Sequence, residues 1–154
     1  MNLTKFIPIV IFSQIGVASP FDNCFESSSL KYGVDMNIIK AVAVTESGMK
    51  ANAKGPLNSD GTYDIGLMQI NSSWLDQLSV YGISEPMLLD SCVNVDVGTW
   101  ILSSNIKQYG KTWNAVGIYN VGTRKDAKGV RLKMEYINRV FSNYSRIVGV
   151  LSAP

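Results

Sequence analysis

At 154 residues the chain has the length of one domain, and 46% apolar against 17% charged residues make it globular rather than disordered. A net charge of +2 speaks against a dedicated nucleic-acid binder, and the absence of histidine removes His triads, His metal sites and His proton switches. Two cysteines cannot build an all-thiolate zinc site, so no metal or cofactor is expected and acid–base chemistry falls to carboxylates, with Tyr or Lys as lesser players.

The chain opens with Lys5 as its only early charge, an apolar run over residues 6–12 broken by Pro8, a second over 15–17, and the small residues Gly16 and Ala18. This pattern predicts a secretory signal peptide over 1–18, cut after Ala18. A membrane anchor is the alternative, but the run falls short of the roughly 20 apolar residues a span needs. The mature chain, 19–154, is then one domain outside the cytoplasm with no membrane span. In an oxidising compartment Cys24 and Cys92 read as a disulfide, two separate buried thiols being the other reading.

Helices are predicted over most of the rest. The first runs over 24–32 and stops at Gly33; the second runs over 36–47 between an Asp35 N-cap and Gly48. Residues 50–63 are small and polar and predict a loop or irregular hairpin turning at Asp60-Gly61. Ser72 or Ser73 can cap a helix through about 80, and Ser91 a longer one up to Gly110, with Val93, Val97, Trp100 and Ile101 on one apolar face. A short helix over 112–120 precedes Gly122, and a last one spans 129–144. The expected fold is mainly α, or α+β, with a small β or loop insertion. From Gly122 onward seven basic residues face two acidic ones, which reads as a solvated basic face rather than a site for an anionic polymer.

Three segments can carry chemistry. Glu46 lies seven, four and three residues after Ile39, Val42 and Ala43, on their apolar face. Partial burial there raises a carboxyl pKa, as a general acid near neutral pH requires; the plain alternative is a glutamate turned to water. Asp64 is a second carboxylate, just before Gly66-Leu67-Met68-Gln69-Ile70-Asn71. If that stretch is extended, the Gln69 and Asn71 amides point to one side and can recognise sugar acetamido and hydroxyl groups. Tyr119-Asn120 beside Gly122 can present a phenol and an amide into a cleft; a core tyrosine followed by a cap is the alternative.

Glu46-Ser47, then Gly66-Leu67-Met68-Gln69-Ile70-Asn71, then Tyr119-Asn120-Val121-Gly122, in that order, resemble the soluble lytic transglycosylase (SLT) domain over roughly residues 24–144. Gly117 and Val121 stand where that family usually has alanine. The stretch 59–75 and the two cysteines resemble a branch of small periplasmic enzymes that accompany type III secretion systems, type IV pili and conjugation machines.

The resemblance implies a lysozyme-like fold and cleavage of the β-1,4 bond between N-acetylmuramic acid and N-acetylglucosamine in peptidoglycan, leaving 1,6-anhydro ends. It makes Glu46 the acid and then the base, and leaves Asp64 to stabilise positive charge at C1, to act as a nucleophile, or only to brace its loop. Ser47, Gln69, Asn71, Tyr119 and Asn120 become sugar-positioning groups, with Tyr119 also within reach of Glu46. Glycan strands and components of such a machine are the implied partners. A hydrolytic muramidase that uses Asp64 and water, and a non-catalytic component of an envelope machine, are the other readings.

Overall fold

The computed structural model describes residues 19–149, so the signal peptide reading lies outside the described residues. The described residues form six α-helices and a two-stranded ribbon: α1 (Asp22–Tyr32), α2 (Met36–Ser47), β1 (Asp64–Ile65), β2 (Ile70–Asn71), α3 (Leu75–Ser79), α4 (Ser91–Tyr109), α5 (Trp113–Val121) and α6 (Ala127–Ile147). This is the mainly α, lysozyme-like architecture expected, with its small β insertion between α2 and α3.

The helix boundaries follow local chemistry. The Asp35 carboxylate accepts the Asn37 amide at 2.7 Å and so caps α2, which Gly48 ends in the left-handed conformation (φ 62°). Other caps sit one residue before the expected serines. Asn71 caps the 3-10 turn Ser72–Trp74 that leads into α3, and Asp90 caps α4 through the Val93 amide at 2.9 Å. In both cases the residue just before the serine takes the N-cap position, where its side-chain oxygen accepts a free amide of the first turn. A second 3-10 turn, Glu85–Leu89, had no separate sequence signal. α6 begins at Ala127, two residues before the expected 129, because Asp126 caps it through the Gly129 amide.

α6 packs across α2 and α5, and α4 across α1 and α5. Phe25 of α1, Ile39 and Val42 of α2, Leu102 of α4, and Tyr136 and Val140 of α6 are fully enclosed at the centre. Cys24 and Cys92 are joined, Cα atoms 4.8 Å apart, so the disulfide ties α1 to the first turn of α4.

The insertion is a short antiparallel pairing of Asp64 with Asn71 and Ile65 with Ile70, extended on its other edge by a bridge from Lys54 to Ile65. The expected turn is present: the Gly61 amide donates to the Asn58 carbonyl at 3.0 Å and the Asn58 amide to the Thr62 carbonyl at 2.7 Å. Asn94, buried in α4, clamps the insertion to the helices. Its Nδ2 donates to the Ile65 carbonyl (2.9 Å) and the Leu88 carbonyl (2.8 Å), and its Oδ1 accepts the Met68 amide (2.7 Å). Gly66 makes room for that clamp with φ 76°; a Cβ there would lie 2.6 Å from the Leu88 carbonyl oxygen. Among the described residues no helix is long and apolar enough to cross a membrane.

Candidate active site

Glu46 occupies the last turn of α2, directly after the enclosed Ile39, Val42 and Ala43. It opens onto a cleft of about 370 Å³. Asp64, Gln69 and Asn71 of the insertion form another wall, Tyr119 and Asn120 at the end of α5 a third, and Ile70, Trp74 and Ile101 add apolar surface. The structure thus brings together six of the seven residues read from sequence as catalytic or sugar-positioning.

The Glu46 carboxyl is pushed up to about 7, chiefly by burial, with the Tyr136 hydroxyl pulling the other way and the negative charge of Asp64 adding to the rise. Arg139 and the Asn120 amide also favour the ionised form, but withdrawal from water wins. The Tyr136 hydroxyl donates to Glu46 Oε1 at 2.7 Å, from a ring that is itself wholly buried in α6. A carboxyl so held is oriented and half-protonated near neutral pH, so it can both give and take a proton.

Three expectations are corrected by the geometry. Tyr119 does not bond Glu46: its hydroxyl donates to the Met68 carbonyl at 2.9 Å, and burial holds the phenol far above its ordinary pKa, so it stays neutral. The partner of Glu46 is Tyr136, which the sequence reading passed over. Gln69 is not extended; it adopts the left-handed conformation (φ 49°), and its Nε2 donates to the Gly66 carbonyl at 2.9 Å and the Ala53 carbonyl at 3.3 Å, which tightens the turn between β1 and β2. Ser47 does not line the cleft. Its hydroxyl donates to the Leu67 carbonyl at 2.7 Å and accepts the Lys50 amide at 3.1 Å, bracing the end of α2 against the insertion.

Asn71 does reach the cleft, though its contacts are with the protein. Its Nδ2 donates to Asp64 Oδ1 at 2.9 Å and to Thr62 at 3.1 Å, while its Oδ1 accepts the Ser73 amide. The cross-strand pairing of Asp64 with Asn71 sets this contact and fixes the carboxylate against the cleft wall. Among the described residues no group of three or more His, Cys, Asp or Glu side chains gathers.

A mainly α domain with one strongly perturbed carboxyl in a polar cleft beside a small β insertion defines an acid–base active site. Residues 23–141 match the family model described as "Transglycosylase SLT domain". The chain therefore belongs to the transglycosylase SLT family and is a peptidoglycan lytic transglycosylase.

Relatives match it over most of its length. It is 36% identical over 143 residues to "Invasion protein IagB" of Salmonella typhimurium, covering 92% of this chain and 88% of that one. It is 34% identical over 148 residues to "Protein IpgF" of Shigella flexneri (96% and 93% covered), and 33% identical over 152 residues to a "Peptidoglycan-binding-like protein" of Escherichia coli O157:H7 (94% and 89% covered). The fold is also that of an inactive mutant of the lytic transglycosylase Slt from Pseudomonas aeruginosa, with a TM-score of 0.65 at 19% identity. That likeness covers 86% of this chain and 25% of the Slt chain.

Proposed function

We propose that the chain cleaves the β-1,4 bond between N-acetylmuramic acid and N-acetylglucosamine without water, with Glu46 as acid and then base. The observation that carries this is the Glu46 carboxyl, poised at about 7 in the cleft and held by Tyr136. Protonated Glu46 gives its proton to the glycosidic oxygen as the bond to C1 breaks. The sugar left behind is oxocarbenium-like, and Asp64 lowers the energy of its positive charge. Ionised Glu46 then removes the proton of the muramic 6-hydroxyl, whose oxygen closes onto C1 to leave a 1,6-anhydro end. Asn120 positions the sugars directly, and Gln69 and Asn71, whose amides are engaged with the protein, do so by holding the turn and Asp64 that shape the cleft. Tyr119 acts on them through the Met68 carbonyl it holds, and Ser47 acts by bracing α2 against the insertion.

The competing chemistry is hydrolysis, with Asp64 as the second carboxylate of a muramidase. The presence of Asp64 on the same cleft favours keeping it in view. Released muropeptides separate the two: anhydro products are lighter by one water than hydrolytic ones, and a product set of hydrolytic mass alone would replace the first reading. We further propose that the signal peptide over 1–18 delivers the single domain 19–154 to the periplasm. There it opens the wall locally for a secretion, pilus or conjugation apparatus, a role supported by the branch resemblance and by a relative named as an invasion protein. Deleting residues 2–18 should leave the protein in the cytoplasm, read by cell fractionation.

A further inference from the structure

α6 carries two apolar faces, and the cleft uses only one. Tyr136 and Val140 turn inward to Glu46 and the core. About a quarter-turn away, Val130, Met134, Ile137, Phe141, Tyr144 and Val148 follow one another at spacings of four, three, four, three and four. That is the seam of a helix that packs on another helix, some 27 Å long at 1.5 Å per residue. Ile137 and Tyr144 are half-buried against α5, but among the described residues the rest of the face stays open: Val130 is 50% exposed, Met134 53% and Phe141 50%. Trp113 of α5 stands edge-on to Phe141 (5.2 Å) and Tyr144 (5.9 Å) and forms a ridge. On either side lies a concavity, one of about 470 Å³ and one of about 490 Å³, both separate from the cleft.

We propose that this face of α5 and α6 is a docking site for an acidic amphipathic helix of a partner protein. Paired concavities along a 4-3 seam accept the ridge of side chains that a helix presents. The charge around the seam selects the sign of the partner. Lys111 lines one concavity and Lys133 the other, and exposed Lys128 stands beside Val130, while Arg131 on its other side pairs with Glu135 at 3.7 Å. The one carboxylate among the lining residues, Asp35, is committed to the amides that begin α2. A second copy of this chain would bring lysine against lysine along the same seam, which disfavours a homodimer. A bilayer presents no ridge to fill the concavities.

The test is fluorescence anisotropy of the mature protein with a synthetic helix of about 20 residues. The helix carries leucine at its heptad a and d positions and glutamate on both flanks. A twin carrying lysine on the flanks is run beside it. The glutamate helix is expected to bind saturably, at least about tenfold more tightly than the lysine twin, and Phe141→Glu is expected to weaken it by a similar factor. Phe141→Glu should leave the circular dichroism spectrum and wall digestion unchanged, since the residue touches neither the core centre nor the cleft; Met134→Glu provides a second variant should the first misfold. No binding, or equal binding of both helices, overturns the proposal. So does sedimentation of the parent with phosphatidylglycerol vesicles that Phe141→Glu abolishes, which would make the face a membrane contact. A dimer in sedimentation velocity that Phe141→Glu dissociates would instead assign it to a second copy.

Discussion

Burying Glu46 ties its proton to folding. The carboxyl has an ordinary value of 4.5 and a value in the cleft of about 7. Between those two pH values the native state holds a proton that the unfolded chain has released, so stability is fully present below about 4.5 and falls as pH rises through 7. The loss is on the order of 3 kcal/mol. Glu46→Gln, which cannot ionise, should match the parent in urea unfolding at pH 4 and exceed it by about that amount at pH 8. The same variant should lose wall digestion by roughly 10²–10⁴-fold; full activity in it would end the assignment. Tyr136→Phe removes the one hydroxyl that favours ionised Glu46 from within hydrogen-bond distance. The alkaline limb of activity should therefore move up in pH, and turnover should fall about tenfold from lost orientation. Asp64→Asn should act oppositely on pH, moving the optimum down as Glu46 loses a like charge, with turnover down at least about tenfold. Normal turnover in Asp64→Asn would leave the residue as a brace for Asn71.

At the scale of elements, what could be read from sequence was what local chemistry decides. Asp35 and Gly48 bound α2 as expected, and Glu46 shares a face with Ile39 and Val42 because a regular helix leaves no other choice. What could not be read depends on partners far away in the chain. Tyr136 lies 90 residues from Glu46, on a helix whose basic residues suggested a solvated face. A signal was there, since Gly129, Tyr136 and Val140 recur at helical spacing and all three are buried. The stretch around Gln69 reads equally as strand or loop in sequence, and Asn94, from another element, holds it as a tight turn. The same dependence makes Gly66 a critical position. Gly66→Ala would force a side chain into a φ of 76° and against the Leu88 carbonyl and the Asn94 amide. The strain and the broken clamp should together cost about 3 kcal/mol or more, measured by urea unfolding, and cleft mutants of normal stability provide the control. An unchanged midpoint would show that the insertion tolerates the shift.

For the whole molecule, the Cys24–Cys92 bond closes the largest covalent loop in the chain, with a sequence separation of 68. Reduction should lower the melting temperature, by up to about 4 kcal/mol of stability in the chain-entropy model, while turnover at moderate temperature stays the same because neither cysteine lines the cleft. A fall in turnover without a fall in melting temperature would instead tie the bond to the chemistry. The cleft itself draws on α2, the insertion, α4 and α5, with Tyr136 reaching in from α6, so no contiguous fragment contains it. Until the last helix closes over α2, Glu46 is an ordinary exposed carboxylate that has already given up its proton at neutral pH. The poised acid is therefore a property of the completed fold alone, and a nascent or half-folded chain carries every site residue without the proton the chemistry needs.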